Sequence, residues 1–209
     1  MSTEGCYEHN FTLQMALDNA QRTRKQCAVA WLDISNAFGS MPHCHIFSIL
    51  RELGLPDSVI DLVRELYHSC TTTVCTTDGE TAEIPIWSGV SQGCPLSPIV
   101  FNLAMEVLFR AVAGSPGRLD LNGQKLSVLA YTDNLVLLAP DATQLQQMLD
   151  VTSEAARWMG LRFNVAKCAS LHIDGRQKSR VLDSTLTIQG QTMRHLKESF
   201  IQYKVGAST

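Results

Sequence analysis

Apolar residues recur along the chain with two different periods, and the alternation between them predicts interleaved helices and strands. Leu13, Ala16, Leu17 and Ala20 share one helical face, with Asn10 or Thr12 placed to cap its start. Residues 27–34, CAVAWLDI, form an apolar run that reads as a buried strand. Ile46, Ile49, Leu50 and Leu53 make a second helical stripe that Gly54 ends, and Pro56-Asp57 opens a third on Val59, Leu62, Val63 and Leu66. Residues 71–77 and 81–87, joined by Asp78-Gly79-Glu80, read as a hairpin. A largely buried helix is expected from Ser97-Pro98 to Val112, closed by the GSPG of 114–117. Asn122-Gly123 turns one strand into the next. Runs at 129–131 and 135–138 then flank a polar Thr132-Asp133-Asn134 tip, the pattern of a tight hairpin. Leu145, Met148, Leu149, Thr152, Ala156 and Met159 form a last stripe up to Gly160, and short strands are expected at 161–165, 168–173 and 186–189. Hairpins outnumber crossovers. The expected class is therefore α+β with a mainly antiparallel sheet.

Composition narrows this picture modestly. With 45% hydrophobic residues over 209 positions, the chain can bury the core of one or two domains. No apolar run approaches the ~20 residues that cross a bilayer, so no membrane partner is expected. The first ten residues lack a signal pattern, which points to an intracellular protein. Seven cysteines, odd in number and scattered, read as reduced thiols. His43-Cys44-His45 are adjacent, and neighbouring residues do not easily converge on one tetrahedral zinc. The net charge of −3 argues against nucleic-acid binding by bulk charge. Such a role has to come from local patches such as RTRK at 22–25, which alone reads as a solvated helix end.

Two carboxylates change the reading. Asp33 ends an apolar strand, where the chain leaves the core, and Asp133 occupies the hairpin tip. An aspartate at a turn is ordinary by itself. If the strand lies beside the hairpin, however, both carboxylates meet at one sheet edge and repel unless cations sit between them. Mg²⁺ takes one or two carboxylates plus substrate phosphate oxygens, and two such ions ~3.5–4 Å apart promote phosphoryl transfer.

Four blocks surround these residues in order: WLDISNAFGSMPH (31–43), SGVSQGCPLSPIVFN (88–102), LAYTDNLVLLA (129–139) and GLRFNVAKC (160–168). Together they resemble the palm motifs of reverse transcriptases, closest to those of retrotransposons lacking long terminal repeats (LINE-like elements). EGCYEHNFTL (4–13) resembles a fingers segment of the same family. The resemblance covers residues 4–175, and QGCPLSP is its most specific part.

The resemblance implies a polymerase palm. Residues 1–28 are then partial fingers, 29–40 the first catalytic palm strand, 41–87 a fingers insertion, 88–175 palm again, and 176–209 an incomplete palm–thumb junction without a thumb. It also implies an RNA-directed DNA polymerase, adding dNTPs to a DNA primer 3′-hydroxyl on an RNA template with two Mg²⁺ or Mn²⁺ ions. Such a polymerase belongs to a larger retrotransposon protein and works in the nucleus. On that pattern Asp33 and Asp133 hold the metals, with the Ile34 carbonyl and Asn134 as further ligands. Ile34 and Phe38 adjoin the nucleotide, and the Phe38 ring walls the sugar pocket against a 2′-hydroxyl. Gln92 and Gly93 lie near the incoming nucleotide and template, and Lys167 protonates the departing pyrophosphate. Pro95 and Pro98 suit a helix start, and Asn102 supports the site from the helix. The plainer alternatives are core packing for Phe38 and a surface position for Lys167.

The chain departs from the family pattern at two positions. The hairpin carries Asn134 where the family has a second aspartate, and Gly39 stands where many relatives have Asp. The upstream basic segment that grips the triphosphate and the thumb are expected to lie outside these residues. A second reading therefore stays open: a non-catalytic descendant kept as a nucleic-acid-binding module, or a relic.

Overall fold

The computed structural model describes residues 5–91, 93–121, 123–177 and 180–197. In chain order, α1 (Gly5–Arg22), β1 (Gln26–Asp33), α2 (Ala37–Ser40), α3 (His43–Glu52) and α4 (Asp57–Tyr67) come first. The short strands β2 (Thr71–Thr72), β3 (Cys75–Thr76), β4 (Gly79–Glu80) and β5 (Ile84–Pro85) follow, then α5 (Ser97–Ala113). Next are β6 (Leu119–Leu121), β7 (Gln124–Leu126), β8 (Val128–Tyr131), β9 (Asn134–Ala139) and α6 (Ala142–Trp158). The last elements are β10 (Ala169–Asp174), β11 (Arg180–Val181), β12 (Thr187–Ile188), β13 (Gln191–Thr192) and β14 (Arg194–His195). The class is α+β, and the chain divides into two compact units.

The first unit takes residues up to 35, 108–157 and from 162 onward. Its sheet runs β11-β10-β1-β9-β8, with β14 parallel on β10 and the other neighbours antiparallel. A strand covered on both faces needs an unbroken apolar run rather than alternation, and β1 has one. Cys27, Ala28, Val29 and Ala30 are wholly buried, and burial pushes the Cys27 thiol up to about 12. On one face Cys27 and Val29 join Ala16, Leu17 and Ala20 of α1 in a core shared with Leu129, Leu138, Leu171 and Ile173.

Three local expectations are corrected. Helix α1 begins before Asn10 and Thr12, so neither caps it; the Thr12 hydroxyl instead donates back to the Glu8 carbonyl at 2.8 Å. Residues 161–165 are not a strand. Only Phe163 forms a bridge, to Ile34, because the Asn164 carbonyl accepts the N–H groups of Lys167 and Cys168 and turns the chain away. In the hairpin at 71–87 the turn is Thr77-Asp78, since Gly79 and Glu80 pair with Thr76 and Cys75.

The second unit takes 36–107 and 158–161. Pro42 and Pro56 stand immediately before α3 and α4, where a missing N–H costs nothing. Helix α3 buries His43, Ile46, Ile49 and Leu50. Helix α4 buries Ile60, Val63 and Tyr67, whereas Val59, Leu62 and Leu66 of the expected stripe are exposed. The three side chains of the His-Cys-His run diverge: His43 Nε2 bonds the Gly89 carbonyl at 2.9 Å, Cys44 is exposed, and His45 stacks on Trp158.

Candidate active site

Register builds the first cluster. β1 and β9 pair so that Asp33 faces Asn134, with Leu32 facing Leu135 and Trp31 facing Val136. One step further, the Ile34 N–H donates to the Asp133 carbonyl at 3.3 Å. The strand end bearing Asp33 therefore lies against the hairpin tip bearing Asp133. The tip is a two-residue turn, Thr132-Asp133, between the paired Tyr131 and Asn134. Thr132 sits at φ 53, a region that a β-branched residue rarely occupies, at a strain of ~1–3 kcal/mol. Its one hydroxyl proton is shared between the Tyr131 carbonyl at 2.7 Å and Asp133 Oδ1 at 2.8 Å, and Asn134 Nδ2 donates to the same Asp133 oxygen at 3.2 Å. The Asp133 carboxylate is held by both neighbours.

Beyond Asp33 the chain runs beside residues 162–164. Ser35 N–H donates to the Arg162 carbonyl at 2.8 Å, and Asn164 N–H donates to the Asp33 carbonyl at 2.8 Å. The turn at Asn164–Lys167 then swings Lys167 back, and its Nζ stands 3.5 Å from Asp33 Oδ2. Lys167 is largely exposed and Asp33 only 20% exposed. Such a pair adds little to stability, and its interest is positional. Ile34 is buried at 2% exposure and is anchored by its own backbone.

The second unit holds a separate cavity of about 320 Å³, lined by Phe38, Val90, Ser91, Gly93, Cys94, Ser97 and Pro98. The Phe38 ring stacks on Phe101 with centroids 4.3 Å apart, and the Val90 N–H donates to the Phe38 carbonyl at 2.7 Å. Gly89 makes that approach possible, since a Cβ there would lie 2.8 Å from the Phe38 carbonyl oxygen. Gly93 has φ +88 and open space where a Cβ would project. Gln92 lies outside the described residues. Gly39 packs under Asn36, whose side chain fills the place a Cβ would take.

With this geometry in place, a family model described as "Reverse transcriptase (RNA-dependent DNA polymerase)" matches residues 3–198. The chain belongs to the reverse transcriptase family. Among curated relatives of this reverse transcriptase domain is the Pol polyprotein of the type-2 retrotransposable element R2DM of Drosophila melanogaster. It is 33% identical over 186 residues, 88% of this chain and 18% of that protein. The Pol polyprotein of the type-1 retrotransposable element R2 of Bradysia coprophila is 34% identical over 168 residues, 79% of this chain and 19% of the relative. The chain thus spans about a fifth of the length of these relatives and falls with the Pol polyproteins of non-LTR retrotransposons. Among solved structures, telomerase of Candida tropicalis in complex with the TWJ fragment of telomeric RNA aligns with TM-score 0.59 at 14% identity. That alignment covers 95% of this chain and 33% of the telomerase. At that identity the likeness shows the fold, a polymerase palm.

Sequence reasoning passed over several neighbours of these sites. Cys168 is buried next to Asp33, and burial pushes its thiol above the ordinary range against an opposing hydrogen bond from the Asp33 backbone. Thr132 lies in the quoted hairpin block, but only the three-dimensional tip reveals its bond to Asp133. Cys94 and Ser97 both fall inside QGCPLSP. The Leu96 backbone N–H holds the Cys94 thiol below its usual range, with Ser97 assisting. Within ordinary hydrogen-bond geometry the buried Ser97 hydroxyl has no partner among the described residues. No helix among the described residues is long and apolar enough to cross a membrane.

Proposed function

We propose that this domain is an RNA-directed DNA polymerase core that joins a deoxynucleotide to a primer 3′-hydroxyl on an RNA template. The observation that carries the reading is the register of β1 on β9, which sets Asp33 beside the Asp133 turn with Lys167 3.5 Å away. The donor set suits hard divalent ions. It consists of two carboxylates, the Ile34 carbonyl and the Asn134 amide oxygen, with no imidazole or thiolate required. No group of three or more His, Cys, Asp or Glu side chains among the described residues is arranged to hold a metal ion by itself, so substrate phosphate oxygens would have to complete the shell, as they do for Mg²⁺. When bound, Mg²⁺ or Mn²⁺ supplies Lewis-acid activation of the attacking hydroxyl and charge neutralisation of the leaving oxygens.

In this reading Asp33 and Asp133 hold the ions, and Thr132 keeps the Asp133 carboxylate oriented. Lys167, with its Nζ 3.5 Å from Asp33 Oδ2, is placed to give a proton to the pyrophosphate that leaves. Phe38, braced on Phe101, closes the sugar side of the nucleotide pocket against a 2′-hydroxyl, and Gly93 leaves room for the base pair. Gln92 takes part by resemblance only. The polymerase acts as part of a longer retrotransposon protein, on the element's RNA in the nucleus.

Primer extension on a poly-RNA template with Mg²⁺ or Mn²⁺ tests this directly. Extension by the parent, lost to background in Asp33→Asn and Asp133→Asn, is expected. Extension that survives either substitution in a folded variant would overturn the assignment. One observation favours the second reading, a non-catalytic descendant. Asn134 spends an amide N–H on Asp133, where an aspartate would leave that oxygen free and add charge. A parent that stays silent while Asn134→Asp extends primers would assign this chain to that second class.

A further inference from the structure

At the other end of β1, about 23 Å from Asp33 at ~3.3 Å rise per residue, the first unit carries a second concavity, of about 470 Å³. Among the described residues Arg24, Lys25, Arg118, Lys125 and Arg176 line it, against the acids Asp120 and Asp141. Both acids are already engaged. Asp120 accepts from Lys125 Nζ at 3.1 Å and from the Gly123 N–H at 2.9 Å, and Asp141 accepts from the Gln144 backbone and side chain. Arg176 makes a two-pronged pair with Asp174. Arg24, Lys25 and Arg118 make no side-chain hydrogen bond or ion pair among the described residues; Lys25 only lowers the Asp120 pKa through space, after Gly123 and Lys125. In a chain of net charge −3, three uncommitted cations on one concave wall are a concentrated exception.

The wall is also fixed in place. Arg24 takes φ 53 as the chain leaves α1, the Lys25 N–H donates to the Ala20 carbonyl, and the Gly175 N–H donates to the Lys25 carbonyl. A Cβ at Gly175 would lie 2.2 Å from the Ala20 carbonyl oxygen, so the two segments touch through backbone. Among the described residues no aromatic side chain lines the concavity, so they offer phosphate contacts and no platform for stacking bases.

We propose that this concavity binds the phosphodiester backbone of a nucleic acid, without reading its sequence, at a point remote from the catalytic residues. The choice of RNA as that nucleic acid rests on the polymerase reading above, and the phosphate chemistry does not. Contacts of this kind position a strand rather than specify it, which suits a template longer than the active site can hold.

The test is fluorescence anisotropy of a labelled RNA hairpin, and in parallel a DNA duplex, at several KCl concentrations. It compares the parent with the triple variant Arg24→Gln, Lys25→Gln, Arg118→Gln, with folding checked by circular dichroism. Arg157→Gln serves as the second variant, because it removes one exposed cation at the end of α6 and leaves this wall intact. The triple variant should bind the hairpin ~10-fold or more weakly, with a salt slope shallower by about 2, as expected when two to three phosphate contacts are lost. Arg157→Gln should bind nearly as the parent does. A loss on RNA alone supports an RNA site, and a loss on RNA and DNA alike supports a general phosphate track. Unchanged affinity and slope in the folded triple variant would overturn the proposal. So would displacement of the hairpin from the parent by poly-glutamate as readily as by unlabelled RNA, since the wall would then be a general acidic-partner surface. Failure of the polymerase reading shows separately, as a parent that binds RNA and extends no primer.

Discussion

The sheet end of the first unit and the cavity of the second place their key side chains by different means. At the sheet end, position is set by ladder register. Asp33 faces Asn134 because every residue of β1 from Ala28 onward faces one in β9, so a one-residue slip would carry the carboxylate to the wrong face. In the cavity, position is set by ring stacking and by two glycines, Gly89 in close backbone approach and Gly93 at positive φ. A register is enforced by the whole core, whereas a stacked ring and a loop depend on a few contacts. The sheet end should therefore tolerate loss of single side chains without unfolding and still lose function. The cavity should change in selectivity before it loses activity.

Lys167 gives the largest contrast at the sheet end. Lys167 is the exposed member of its pair with Asp33 and stands 3.5 Å from it, so Lys167→Met should shift stability by less than ~1 kcal/mol. The extension rate should fall ~10²-fold or more if the ammonium acts as the general acid. Equal losses in rate and in thermal stability would reduce Lys167 to a structural surface residue.

In the cavity, Phe38→Val should leave deoxynucleotide addition working and relax discrimination against ribonucleotides, on the order of 10-fold, the scale of one lost apolar contact. Competitive incorporation of dNTPs and rNTPs measures it. Unchanged selectivity in an active, folded variant would mean that Phe38 only packs against Phe101.

A smaller effect separates the two regions through their thiols. The Leu96 N–H favours the Cys94 thiolate, whereas Cys27 in β1 is raised to about 12 by burial. The Cys94 thiolate is thus populated at lower pH than in an ordinary thiol, and Cys27 stays neutral. Iodoacetamide at neutral pH should label Cys94 several-fold faster than an unperturbed thiol and leave Cys27 untouched in the folded chain, as read by peptide mass spectrometry. Bound dNTP should slow the labelling. Equal labelling of both cysteines would mean that β1 opens on the timescale of the experiment.

Much of the sheet end was legible in the sequence, because its logic is one-dimensional. An unbroken apolar run that stops at Asp33 marks a central strand and its end, and two short runs around Thr132-Asp133 mark a hairpin. The four ordered blocks pointed to the family to which the chain belongs. Two things were not legible. Residues 161–165 look like a strand by alternation, yet the Asn164 carbonyl turns the chain and brings Lys167 to Asp33. No periodicity encodes a side chain's return across a turn. Helix α4 presents two apolar faces, and composition could not tell that Ile60, Val63 and Tyr67 are inside while Val59, Leu62 and Leu66 remain exposed. The basic wall was missed for a related reason. RTRK looked like a solvated helix end until Arg118, Lys125 and Arg176 arrived beside it from distant parts of the chain.

The central claim is that the carboxylates gathered by β1 and the hairpin form a divalent-ion site, weakened by Asn134. Calorimetric titration of Mn²⁺ into the parent, Asn134→Asp and Asp133→Asn tests it most directly. Binding by the parent is expected, with tighter binding by Asn134→Asp, up to ~10–100-fold as for residues that support a metal site, and none by Asp133→Asn. Equal affinity in all three folded proteins would contradict it.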